Sequence, residues 1–151
     1  MARILTLTLN PALDLTVQLP RLEPGQVNRS DEMHTHAAGK GVNVAQVLAD
    51  LGHQLTVSGF LGEDNPQAFE TLFARRGFVD AFIRVPGETR SNIKLAESDG
   101  RITDINGPGP LVSEAAQQAL LDRLEQIAPG HDAVVVAVSY THLTLPTILL
   151  V

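Results

Sequence analysis

The closest grouping of chemistry-bearing residues in the sequence is Gly39-Lys40-Gly41 with Asn43. Val44, Val47, Leu48 and Leu51 follow at i, i+3, i+4 and i+7, the apolar stripe of a helix that Gly52 would end as a cap. The glycines therefore fall at a helix N-terminus, where the first N–H groups lack partners and the dipole is positive. Without Cβ atoms, Gly39 and Gly41 are expected to leave main chain open to a hydroxyl or phosphate. Lys40 would add a mobile positive charge, and Asn43, at the second or third helical position, a paired donor and acceptor. Spacing rules out two common nucleotide patterns. A P-loop needs Gly five residues before Gly-Lys and Ser or Thr after it, where His34 and Gly41 stand; G-x-G-x-x-G would need a third Gly at Val44. His34, His36, His53, His131 and His142 have no metal-ligand spacing beyond the His34/His36 pair, and read as structural or surface groups.

The elements that must carry this loop alternate. Arg3–Leu9 reads as a strand closed by Asn10-Pro11, Ala12–Leu19 as a second, and 26–36 as a third, polar extended piece. Gln54–Leu61 reads as a strand; Asn65 would cap the next helix, with Pro66 at its first position and Phe69, Leu72 and Phe73 on its buried side. Strands follow at 81–85, 89–96 and 101–106, with Asp99-Gly100 as a hairpin turn. Ser113 would cap a helix burying Ala116, Leu120, Leu121 and Leu124, and Ala133–Val138 is a strand of the fully buried type. This order predicts an α/β fold, a mostly parallel sheet with antiparallel hairpins set apart as a flap.

The stretch Ala38, Gly39, Lys40, Gly41, Val42, Asn43, Val44, Ala45, Gly52 and Gly62 resembles, at every term, the first signature of the ribokinase-like carbohydrate kinases, the phosphofructokinase B family. The resemblance implies a doubly wound sheet with a small β lid, built from about 12–37 and 81–106, that often serves as a homodimer contact. It implies ATP- and Mg²⁺-dependent phosphorylation of a ketohexose phosphate, fructose 1-phosphate first, with tagatose 6-phosphate or fructose 6-phosphate as alternatives. Asp14, in Asn10-Pro11-Ala12-Leu13-Asp14, resembles the family's sugar-binding carboxylate; an exposed turn aspartate is the plainer reading. Gly39 and Asn43 would hold the sugar, while Lys40 and Arg90, in Thr89-Arg90-Ser91-Asn92, would neutralise its phosphate. Arg29 would reach a neighbouring subunit's site through the lid, and Ser139 stands where the family keeps a serine.

The family's second signature, Gly-Ala-Gly-Asp, supplies its catalytic base and anion hole and is absent from these 151 residues. The sequence thus resembles the amino-terminal half of the fold over residues 1–137, with the base, nucleotide and metal sites expected beyond it. At 138–151 the Gly-Ser-Leu-Pro continuation is replaced by Val138-Ser139-Tyr140-Thr141; this charge-free tail reads as foreign or artefactual, or else as a divergent tail packed on a sheet edge. Taken literally, the chain could be a non-catalytic sugar-phosphate-binding fragment. A formal charge of −6 argues against nucleic-acid and anionic-membrane partners and for a small molecule. An apolar fraction of 44 % with 19 % charged residues fits a folded globule. With no cysteine and no signal-like start, the expected compartment is the cytoplasm.

Overall fold

A computed structural model describes residues 1–137. Leu5 and Leu7 alternate with Thr6 and Thr8 along β1 (Arg3–Thr8), which is buried on both faces. It lies in a five-stranded parallel sheet, between β4 (Gln54–Gly62) and β9 (Ala133–Ala137). β5 (Val79–Asp80) and β6 (Ile83–Val85) both pair with β4. The expected lid segment 81–106 therefore begins later: Ile83–Val85 is held in the main sheet by its register with Phe60–Gly62. Arg84 fixes this corner, with bonds to Asp80 at 2.7 Å and Glu70 at 3.1 Å. The Asp80 bond foremost, against the cost of burial, raises the guanidinium pKa.

α1 (Lys40–Asp50) begins earlier than the Val44 stripe implies, so Asn43 is its fourth residue. Its buried side is Gly41, Val42 and Ala45, with Leu48 and Ala49 packed beside them, while Val47 and Leu51 are exposed. The expected stripe is rotated because small residues let the backbone settle onto β1, which bulky ones would prevent. Gly52, at φ 86°, ends the helix as expected, and His53 N–H closes the turn on the Leu48 carbonyl.

α2 (Gln67–Arg76) buries Phe69, Leu72 and Phe73 as expected, and Phe73 stacks on Phe82 at 5.5 Å. Asn65 does not cap it. Its amide instead exchanges two bonds with the Thr89 backbone, at 2.7 and 2.9 Å, while Thr89 Oγ1 accepts the Gly62 N–H. Ser113 does cap α3 (Glu114–Ile127), accepting the Ala116 N–H at 3.1 Å. Only Leu120 of the four expected residues of α3 is buried, and Val134 and Val136 of β9 are half exposed, because β9 is an edge strand among the described residues.

The second sheet has the order β3 (Glu32–Ala38), β2 (Ala12–Leu19), β7 (Ser91–Glu97), β8 (Ile102–Asn106). The outer pairs are antiparallel and β2–β7 is parallel. Strand alternation gives it two unlike faces. His36, Asp14, Asn92 and Asn106 form one cross-strand row and His34, Thr16, Lys94 and Asp104 the next; Leu15, Val17, Met33, Ile93, Leu95 and Ile105 occupy the reverse. Among the described residues Glu97 is the only buried charged one. It accepts the Leu22 N–H at 2.9 Å and so anchors the loop 20–31, which Asn28 stitches internally to Glu23 and Gln26. That loop replaces the first half of the extended piece expected at 26–36. Among the described residues no helix is long and apolar enough to cross a membrane.

Candidate functional site

Where β1 ends and the chain crosses into the second sheet, the turn Asn10-Pro11 delivers β2 with Asp14 on the polar face. Ligands of parallel α/β sheets gather at this carboxyl edge. Asp14 is 37 % exposed by side chain and opens on a recess of about 300 Å³ lined also by Thr16, His36, Asn92, Lys94, Asp104 and Asn106. Its Oδ1 accepts the Asn92 Nδ2–H at 3.1 Å, and its Oδ2 lies 4.0 Å from His36 Nε2.

Arg90 stands behind this pair. Its Nε donates to the Pro11 carbonyl at 3.3 Å, Nη2 to that of Asn10 at 3.4 Å and Nη1 to Asn92 Oδ1 at 3.2 Å. Three of its five N–H groups are thereby committed to the turn and to Asn92. The Leu13 N–H donates to the Arg90 carbonyl at 2.8 Å, so main chain as well as side chain locks β2 to the start of β7. The resulting chain, Asn10-Pro11 to Arg90 to Asn92 to Asp14, is a continuous hydrogen-bonded frame for one carboxylate.

The glycines are also required by packing. Gly39 caps α1 at φ 136°, and a Cβ there would lie 2.8 Å from Thr8 Cγ2 and 3.2 Å from Pro11 Cα. At Gly41 it would strike Thr8 Oγ1 and come within 2.5 Å of the Leu7 carbonyl oxygen. Both small residues are thus demanded by the protein's own β1 and turn. Asn43 N–H makes the first helical bond, to the Gly39 carbonyl at 2.8 Å.

Lys40, exposed, opens α1. The Asn43 side chain lines a separate groove of about 520 Å³ between α1, α2 and β3, whose link to the Asp14 recess is His36. Arg29 is exposed on the 20–31 loop, at the end of β2 remote from Asn10-Pro11, and the chain does not bring it to Asp14. Ser139 lies outside the described residues. Nothing local marks Asn92 or His36 for binding: each meets Asp14 only through strand register, Asn92 from 78 positions away on β7 and His36 on β3. His131 and His53 are structural, as expected. His131 Nδ1 donates to the Ile127 carbonyl at 2.7 Å, which leaves Nε2 to accept the Thr56 hydroxyl at 2.7 Å. His53 Nδ1 accepts the Ala2 N–H at 3.2 Å.

Residues 7–147 match the pfkB family carbohydrate kinases, a match that runs into the stretch 138–151. The 1-phosphofructokinase of Vibrio cholerae is 50 % identical over 135 residues, which are 89 % of this chain and 43 % of that protein. The chain thus spans less than half the length of the curated relatives it matches. Phosphofructokinase-2 from Escherichia coli, solved with fructose-6-phosphate, superposes with a TM-score of 0.77 at 26 % identity, over 91 % of this chain and 45 % of that one. Ribokinase from Thermotoga maritima superposes at 0.63 with 21 % identity, over 72 % of this chain and 37 % of that one, which shows the ribokinase-like fold alone. The chain belongs to the pfkB family of carbohydrate kinases.

Proposed function

We propose that this chain is the sugar-binding part of an ATP-dependent kinase that phosphorylates fructose 1-phosphate at its 6-hydroxyl. The observation that carries the reading is the framed Asp14 carboxylate facing a polar recess at the carboxyl edge of the sheet. The 50 % identity to a 1-phosphofructokinase supports the choice of sugar.

A carboxylate held this way accepts substrate hydroxyls, each charge-assisted bond contributing roughly 1.5–3 kcal/mol. Two N–H groups of Arg90 remain beyond the three it has committed, and with Lys40 they would meet the sugar phosphate. In this reading Gly39 and Asn43 contribute main-chain and amide contacts at the mouth of α1. Arg29 serves a second copy of the chain, whose lid covers the apolar reverse face bearing Met33 and Ile105.

ATP supplies the phosphoryl group in this family, with a divalent metal. In this reading ATP and Mg²⁺ are held by the part of the family fold that this chain does not span. In this reading the setting is the cytoplasm.

Calorimetric titration of the chain with fructose 1-phosphate, tagatose 6-phosphate and fructose 6-phosphate tests the proposal. The first should bind tightest, and Asp14→Ala should weaken it at least about tenfold, the loss of one charge-assisted bond. A preference for fructose 6-phosphate would move the assignment toward phosphofructokinase-2. Binding indifferent to Asp14 would overturn it.

A further inference from the structure

We propose that Asn92 is a positioning residue for the substrate carboxylate: it relays the fixed guanidinium of Arg90 to Asp14 and so aims Asp14 into the recess. The inference rests on the reading of Asp14 as the sugar-binding group. Asn92 donates through Nδ2 to Asp14 Oδ1 and accepts through Oδ1 from Arg90 Nη1, at 3.1 and 3.2 Å. Only a side chain that is donor at one end and acceptor at the other can sit between a cation and an anion in this way.

Arg90 is in turn held by two backbone carbonyls of the Asn10-Pro11 turn, which leads into the strand carrying Asp14. The frame therefore closes on itself, and the freedom it removes from Asp14 is its side-chain rotation. A carboxylate so fixed keeps Oδ2 toward the recess and His36, and loses less side-chain entropy when a sugar hydroxyl binds. Asn92 is half-buried and its neighbour Ser91 exposed, so the pair of bonds, not core packing, accounts for an amide here.

The competing role, a strut that only holds Arg90, is separated by one isosteric change. Asn92→Asp keeps and strengthens the acceptor for Arg90 but places an anion against Asp14. Fructose 1-phosphate binding to the full 151-residue chain is measured for wild type, Asn92→Asp, Asn92→Ala, Asp14→Ala and the Asp14→Ala/Asn92→Ala double variant. Either Asn92 change should weaken binding by about tenfold, the loss of one bond to a charged group, and the double variant should bind no worse than Asp14→Ala alone.

Wild-type affinity in Asn92→Asp, or fully additive losses in the double variant, overturns the relay. If wild type fails to bind, or Asp14→Ala changes nothing, the sugar-site reading falls, and the substrate role of the relay with it. The contact itself has a ligand-free readout. The Asn92 side-chain amide protons should shift in the NMR spectrum of Asp14→Ala, and an unchanged pair of signals overturns the relay whatever the sugar does.

Discussion

Gly41 is the residue where the sequence is most legible in position and least in cause. Its spacing before Asn43 carried the family resemblance, yet the reason for a glycine is the Thr8 hydroxyl and Leu7 carbonyl beneath it, more than thirty positions upstream. A local reading of residues 37–45 contains no trace of that contact. Gly41→Ala should lower stability by about 1–3 kcal/mol through overpacking, read as a fall in the thermal midpoint, while Gly130→Ala, with open space around it, should change little. An unaffected Gly41→Ala would mean that α1 sits further from β1 than described. Arg84 gives a second expectation at this scale. Its raised pKa means that the stability it lends is complete below its unfolded value and lost only as pH rises through the higher folded one. Arg84→Met should therefore cost the same amount, about 1 kcal/mol for a partly exposed pair, at every pH between about 5 and 9 in thermal unfolding scans.

Elements were easier to foresee than the sides they bury. Alternation and turn residues located β1, β2, β4, β7 and β8 to within a few residues, because strand period and Asx, Pro or Gly punctuation are local properties. For the face of α1, hydrophobicity alone favours Val47 and Leu51, whereas close approach to the sheet favours Gly41 and Ala45. Asn65 reads locally as a helix cap because its actual partner, Thr89, arrives from a separate loop. The anchoring of the 20–31 loop was likewise hidden, since Glu97 looks like any strand-end carboxylate until its side chain is found 2 % exposed. Glu97→Ala should speed amide hydrogen exchange at Leu22 and through 20–31, and Glu97→Gln, which keeps an acceptor, should do so less. Exchange unchanged from wild type in both variants would assign the loop's order to Asn28 instead.

For the whole molecule, charge, the absence of cysteine and the alternation of elements narrowed the class, and a signature spread over 38–62 identified the family. Incubated with ATP, Mg²⁺ and fructose 1-phosphate, the 151-residue chain should give no product in a coupled assay; turnover would place a catalytic base within it. The apolar reverse face of the second sheet leads to a separate expectation: sedimentation should reveal concentration-dependent self-association that Met33→Glu or Ile105→Glu abolishes. Finally, β2 and β7 run side by side in the same direction although Asp14 and Asn92 are 78 positions apart. In a polypeptide emerging from the ribosome β2 can pair at once with β3, but its other edge has no mate until everything from α1 to β6 has been synthesised. The contact between Asp14 and Asn92 is therefore a late event in folding, made only when β7 docks on a β2–β3 pair already formed.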